Sequence, residues 1–258
     1  MNADERTSDW YEQDSLWEGT AQIIFSREAL ENAPQQVAQV LSLADLEPPL
    51  RVLDMPCGVG RHTLEFVRLG CAVTGVDRTA FYLKEARATV QAAEGEVEWI
   101  EADMRAFQQP GAFDLAINLF TSFGYFEDRN DDLKVLDNFY TSLRPGGVLV
   151  MDMMGKEIVA RIFIPRDWDT LDDGTLLLRE RSIHQDWTWI ENCWILITNG
   201  NQRKFALAHR LYGASDLKNI LVQAGFTGIR IYGSLSGTPY DQTAQRLVAV
   251  AHKSESAG

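Results

Sequence analysis

Residues Val52-Leu53-Asp54-Met55-Pro56-Cys57-Gly58-Val59-Gly60-Arg61-His62 place the tightest limit on what this chain can become. A short apolar run leads into two glycines one residue apart, and helical spacing starts directly after them. The pattern reads as a buried strand, a glycine turn and the first turn of a helix. A second apolar run, Ala72-Val73-Thr74-Gly75-Val76, ends on Asp77. A helix start beside an acidic residue at the tip of the next strand makes a site shaped for adenosine. Nucleotide-binding folds in general share that spacing.

The alternation continues beyond this unit. Apolar runs predict strands at 51–55, 72–76, 97–100, 113–118 and 147–152, and helical spacing predicts helices at 60–69, 79–93 and 130–143. Short, continuous apolar strands suit a parallel sheet covered on both faces. Ahead of it, residues 1–20 are rich in charge and tryptophan with no clear period. Residues 26–43 read as a helix capped by Ser26 and kinked or divided at Pro34. After Met154 the rhythm changes. Residues 176–183, 187–198 and 204–212 read as three strands, with Asn199-Gly200-Asn201 as a tight turn, hence an antiparallel sheet. A helix at 214–224, stopped by Gly225, and strands at 228–233 and 245–252 resume the first pattern.

Composition narrows the function. The 258 residues suit one large domain or one domain with an insertion. The formal charge of −13, with no run of Lys and Arg, argues against a nucleic-acid partner and sits comfortably with a cationic cofactor. No apolar run reaches the length of a membrane span, and the acidic, polar start is unlike a signal peptide. Three scattered cysteines, Cys57, Cys71 and Cys193, argue against a disulfide framework and for a reducing, cytoplasmic setting. The four histidines, His62, His184, His209 and His252, fall in different elements without metal-ligand spacing, so no metal is expected.

The run Leu53-Asp54-Met55-Pro56-Cys57-Gly58-Val59-Gly60 resembles the first motif of the class I S-adenosylmethionine-dependent methyltransferases, D-x-x-C-G-x-G. A Rossmann dehydrogenase would carry a third glycine where Thr63 stands. The likeness continues through Asp77, Ala102-Asp103-Met104, Phe113-Asp114-Leu115-Ala116 leading into Asn118-Leu119-Phe120, Leu143-Arg144-Pro145-Gly146-Gly147 and Ala224-Gly225-Phe226. These landmarks keep the family order across roughly residues 50–250. The resemblance implies an α/β fold: a Rossmann-like, seven-stranded, mostly parallel sheet with helices on both faces, plus an antiparallel β insertion acting as a lid. The expected layout is a single domain over 1–258. Within it, 1–49 forms a helical cover, 50–154 and 213–252 the cofactor-binding core, and 155–212 the lid.

It also implies the cofactor, S-adenosylmethionine, with S-adenosylhomocysteine as product. Asp54 would meet the cofactor's amino group, and Cys57, Gly58 and Gly60 would form the turn beneath its methionine portion. Asp77, with Arg78 beside it, would accept the ribose hydroxyls, since a carboxylate carries two acceptor oxygens. Asp103 and the Met104 backbone would read the adenine. Asn118, Leu119 and Phe120 would line the sulfonium end. Arg61 reads as a solvated or salt-bridged helix residue, His62 as packed against the first loop, and Cys57 as a small packing residue.

Methyl transfer from a sulfonium asks mainly for alignment and exclusion of water, and for a general base only where the acceptor is protonated. The acceptor pocket is expected from three pieces. They are the N-terminal Tyr11 and Trp17, the aromatic segment carrying Phe123 and Tyr125, and the lid, with Trp189, Glu191 and Arg210. Strand parity puts Trp187, Trp189, Glu191 and Cys193 on one side of the lid and leaves open which side faces the cofactor. His184 and His209 are the base candidates by residue type. The lid and aromatic loop resemble those of sugar-amine and glycine-type N-methyltransferases. A small-molecule acceptor, methylated at nitrogen or oxygen, is therefore expected, with no nucleic-acid or membrane partner and a monomer or homodimer as the assembly. The alternatives are a non-catalytic cofactor-binding sensor or structural protein, a protein methyltransferase, and a nicotinamide dehydrogenase. No N-P-P-Y or D-P-P-Y tetrapeptide follows the fourth strand, where Asn118-Leu119-Phe120-Thr121 stands.

Overall fold

The computed structural model describes residues 9–90 and 97–255. Its main sheet has seven strands: β1 (Arg51–Asp54), β2 (Ala72–Asp77), β3 (Val97–Glu101), β4 (Phe113–Asn118), β5 (Leu143–Met153), β10 (Thr227–Tyr232) and β11 (Leu247–His252). They run in the order β10-β11-β5-β4-β1-β2-β3. The strands from β3 to β5 are parallel, while β11 is antiparallel to both β5 and β10. The order reverses at β1, which lies between β2 and β4. Open α/β sheets bind ligands at the carboxyl ends of strands flanking such a point.

Parity explains how the sheet is buried. Leu53, Ala116, Leu149, Met151 and Ala249 face one side, where helices α6 (Arg129–Ser142) and α8 (Ala214–Gln223) contribute Leu136, Phe139, Leu217 and Leu221. Their neighbours Val52, Leu115, Ile117, Val150 and Val250 face the other, where α3 (Ala33–Ala44) and α4 (Arg61–Arg68) contribute Val37, Val40 and Phe66. Each such side chain withdrawn from water contributes about 1.5–3 kcal/mol, so both helical layers are needed to hold a sheet that is apolar on both faces.

The N-terminal part departs from the sequence reading. Helix α1 (Asp14–Ile24) forms where no period was legible, with Leu16, Gly19 and Thr20 buried. The helix expected over 26–43, kinked or divided at Pro34, is divided into α2 (Arg27–Glu31) and α3, with the Ser26 hydroxyl accepting from the Ala29 amide at the start of α2. Pro34 lies in the first turn of α3, where a missing N–H costs nothing, so it begins a helix instead of kinking one. Helix α5 (Ala80–Val90) matches the expected 79–93 as far as Val90; its last three positions lie outside the described residues.

Between β5 and α8 lies a second, antiparallel sheet, β6-β7-β8-β9. Its strands are β6 (Arg166–Thr170), β7 (Leu176–His184), β8 (Trp189–Thr198) and β9 (Asn201–Arg210). Asn199 and Gly200 turn at φ 51° and 79° between β8 and β9, the left-handed pair a two-residue hairpin requires. Helix α7 (Lys156–Ile162) and strand β6 were not anticipated. β6 is a short edge strand of largely exposed charged residues, so it lacks the apolar alternation that marks a strand in sequence.

Candidate functional site

A single cavity of about 1010 Å³ opens over the carboxyl ends of β1, β2, β3 and β4. The N-terminal segment and α2 wall one side, and the inner face of the four-stranded sheet covers it. Its floor is the strand–turn–helix unit. Gly58 at φ 54° and Gly60 at φ 74° hold conformations that side chains rarely adopt. A Cβ on Gly58 would lie 2.7 Å from the Phe25 ring, so the turn accepts nothing larger.

Three carboxylates stand at successive strand ends. Asp54, 3% exposed, accepts from the Thr63 hydroxyl at 2.7 Å, and burial pushes its pKa up to about 7. Thr63, the residue that breaks the dehydrogenase pattern, is therefore the one that fixes Asp54. Asp77 accepts the Gly58 amide on Oδ2 and the Thr79 amide on Oδ1, both at 2.8 Å, which leaves each oxygen one further lone pair. Burial raises its pKa, against the pull of those amides. Asp103 is half-buried. Burial would raise it too, but the Arg105 guanidinium at 2.7 Å and the Arg105 amide outweigh that and hold it below the usual carboxylate range.

Most sequence-predicted residues converge here. Asp54, Cys57, Gly58, Asp77, Arg78, Asp103, Met104, Leu119, Phe120, Tyr11, Trp17, Tyr125 and His209 line the one cavity. Gly60 and Asn118 lie beneath it: Gly60 backs on Trp99 and Ala86, and Asn118 Nδ2 donates to the Met55 and Ser122 carbonyls. Arg78 donates to the backbone carbonyls of Tyr11 and Glu12 at 2.7 and 3.2 Å, fastening the N-terminal segment to β2.

The residues of the four-stranded sheet, expected as the lid, divide by parity. Ile190, Asn192 and Trp194 of β8 face the cavity, joined across the ladder by Arg181 of β7 and by Leu207 and His209 of β9. Trp189 and Glu191 therefore sit on the opposite face and do not reach the cavity. Phe123 is buried against Tyr212, and Arg210 is turned toward the buried Asp132 and the carbonyl of Glu127. His184 is also outside, largely exposed, with Ser182 and Glu191 as neighbours. His209 is half-buried, faces the cavity and has no hydrogen-bond partner among the described residues; burial pushes its pKa down to about 4.

Several lining residues had no sequence signal pointing to them. Trp10 is buried, and its indole N–H finds no partner among the described residues. Arg61, expected as a solvated or salt-bridged residue, is buried with its guanidinium 4.1 Å above the Phe120 ring. His62, expected to pack against the first loop, stacks instead on the same Phe120 ring, with 5.6 Å between centroids, and bonds Gln36 at 2.8 Å. Arg246, from the loop before β11, grips Asp152 through two nitrogens. Phe120 and Thr121 both take positive φ, 60° and 63°, held by the Asp152 side chain and carbonyl. Two non-glycine residues in that region at a strand end mark a constrained, function-bearing loop.

The donor set suits a sulfonium nucleoside. Its carboxylates offer acceptors to a molecule rich in N–H and O–H donors, the glycine turn is held tight against Phe25, Trp99 and Ala86, and an orphaned indole N–H awaits an acceptor. The comparisons with known proteins agree. A methyltransferase-domain family model matches residues 52–147. A Bacillus subtilis (strain 168) protein described provisionally as a methyltransferase, YqeM, is 24% identical over 217 residues, covering 82% of this chain and 87% of that protein. The CcbJ methyltransferase of Streptomyces caelestis superposes with a TM-score of 0.75 at 18% identity, covering 86% of this chain and 90% of the other. CalS10 of Micromonospora echinaspora, an amino pentose methyltransferase solved with S-adenosylmethionine bound, gives 0.65 at 20%, covering 92% and 96%. Strand order, motif and these likenesses together support a class I S-adenosylmethionine-dependent methyltransferase.

Proposed function

We propose that this chain methylates a nitrogen or oxygen of a small-molecule acceptor inside the lidded cavity. The observation that carries the reading is continuity: the cavity that reaches Asp54, Asp77 and Asp103 also reaches Ile190, Asn192 and His209 of the lid. At about 1010 Å³ it lies at the upper end of small-molecule pockets and has room for a nucleoside cofactor and a second molecule. The amino pentose methyltransferase CalS10 and the sugar N-methyltransferase KedS8 superpose with TM-scores of 0.65 each, which supports a small acceptor.

S-adenosylmethionine supplies an electrophilic methyl group on a sulfonium. Asp54, Asp77 and Asp103 would hold its polar ends. Trp10, Trp17 and Tyr125 pack edge to face and tilted at 4.9–6.2 Å over this half, excluding water. On the acceptor side, the apolar Ile190, Trp194 and Leu207 exclude water as well. The His209 ring is neutral above about pH 5, so one nitrogen can accept a proton from an acceptor hydroxyl or ammonium. His184, outside the cavity, has no such access. A protein acceptor would need an open cleft, and a sensor without catalysis would need no second compartment.

The test is titration with S-adenosylhomocysteine, then incubation of S-adenosylmethionine with a panel of amino sugars, amines and phenols. Saturable binding and acceptor-dependent release of S-adenosylhomocysteine are expected. Failure to bind would end the reading.

A further inference from the structure

Among the described residues four guanidiniums line the cavity, and the protein answers the charge of three. Arg78 has Asp14 at 3.5 Å, Arg181 has Asp167 at 3.1 Å, and Arg246 has Asp152 at 2.8 Å. Arg61 has no carboxylate within 4.0 Å among the described residues, although it is only 8% exposed. Of its five N–H donors, one on Nη1 is used, toward the Ala29 carbonyl at 2.7 Å. Its flat face rests on Phe120. Buried charges are ordinarily paired, and a guanidinium left with one hydrogen bond carries a desolvation cost that an incoming anion would remove. Burial indeed lowers its pKa, and the nearby charges of Asp54 and Asp152 only partly offset this.

We propose that Arg61 is the carboxylate-binding residue of the cavity, receiving a ligand carboxylate on its open N–H edge beside Phe120. One unpaired fork matches a singly charged, planar anion, which it can bind through two parallel hydrogen bonds. The other three guanidiniums are taken, so only one positive charge is on offer, which suits a monoanion. The inference rests on the reading of the cavity as a cofactor and acceptor site. Two molecules of that reaction can bring a carboxylate: the cofactor, through its amino-acid end, and the acceptor. Asp54 and Arg61 sit close enough to feel each other's charge, which offers an anionic and a cationic pole side by side.

Calorimetry on the full chain separates the two sources. In one arm, S-adenosylmethionine is compared with its decarboxylated form. In the other, protein saturated with S-adenosylhomocysteine is titrated with phenylacetate and with neutral phenylacetamide. Wild type is expected to prefer the carboxylate member of one pair by about 10- to 100-fold, and Arg61→Met to lose that preference. Arg61→Lys, which keeps the charge and loses the fork, should retain part of it and covers the case in which the methionine variant does not fold. The pair that responds names the source. The inference is overturned if wild type shows no carboxylate preference in either pair, or if both variants discriminate as wild type does. Failure of the wild type to bind any form of the cofactor would instead strike the site reading, and is seen before a variant is made.

Discussion

Asp54 offers the sharpest quantitative prediction. Its carboxyl is buried with one hydroxyl donor, and its pKa stands near 7 because burial outweighs the help from Thr63 and Arg61. If it meets the cofactor's amino group, the bound state requires the ionised form, so binding below pH 7 must expel a proton. The apparent dissociation constant then rises as 1 + 10^(7−pH), which is about 100-fold weaker at pH 5 than at pH 8, or roughly 2.7 kcal/mol. At pH 6 about 0.9 proton should leave per site. Titration calorimetry with S-adenosylhomocysteine from pH 5 to 8, repeated in two buffers of different ionisation enthalpy, measures both quantities. Asp54→Asn should bind weakly and without slope. The same shift fixes a sign for stability. A carboxyl raised in the folded state contributes stability that is whole below its unfolded pKa of about 4 and lost as pH rises through about 7, up to about 4 kcal/mol. The ligand-free protein should accordingly gain less from neutral pH than the ligand-bound one. An affinity that stays flat between pH 5 and 7, or a slope that survives in Asp54→Asn, would refute the reasoning.

Three further outcomes are expected. Gly58→Ala forces a side chain into φ 54° and against Phe25 at 2.7 Å, so about 1–3 kcal/mol of stability should be lost in urea denaturation, and cofactor affinity with it. Asp132→Ala removes the fully buried acceptor of the Tyr212 hydroxyl at 2.7 Å and of Arg210 at 3.3 Å; a loss of about 3–5 kcal/mol in the same assay is expected, with the end of β9 loosened from α6. His209→Gln should lower turnover by about 100-fold or more when the acceptor must give up a proton, while S-adenosylhomocysteine affinity by calorimetry stays unchanged; His184→Gln should alter neither.

The main sheet was legible in the sequence because its parallel strands are short, mainly apolar runs, three of which, β1, β2 and β3, end on an acidic residue. Spacing alone marked the glycine turn at Gly58 and the strand-end Asp77, and the resemblance to the methyltransferase motifs added Asp54 and Asp103 from the same stretch of chain. The lid resisted for a different reason. Parity sorts Trp189 from Ile190 with certainty, but which side meets the core depends on how two sheets pack, and that is not a local property. The larger, more polar face-mates Glu191 and Trp189 looked like pocket residues and turned out to lie on the far side. Arg61 and Arg246 were missed because their environment comes from Phe120 and Asp152, far away in the chain. Helix α1 was missed because its buried side includes Gly19 and Thr20, which carry no hydrophobic signal.

Arg78 holds the first turns of the chain by their main-chain carbonyls, at Tyr11 and Glu12. A grip on carbonyls is blind to side-chain identity, since every residue supplies the same oxygen. The aromatic side chains add a second attachment, because Trp10 and Tyr11 are buried in the core and Arg105 donates to the Tyr11 hydroxyl. Aromatic exchanges at Trp10 and Tyr11 that keep this burial would recontour one wall of the hollow while the main-chain clasp stays in place.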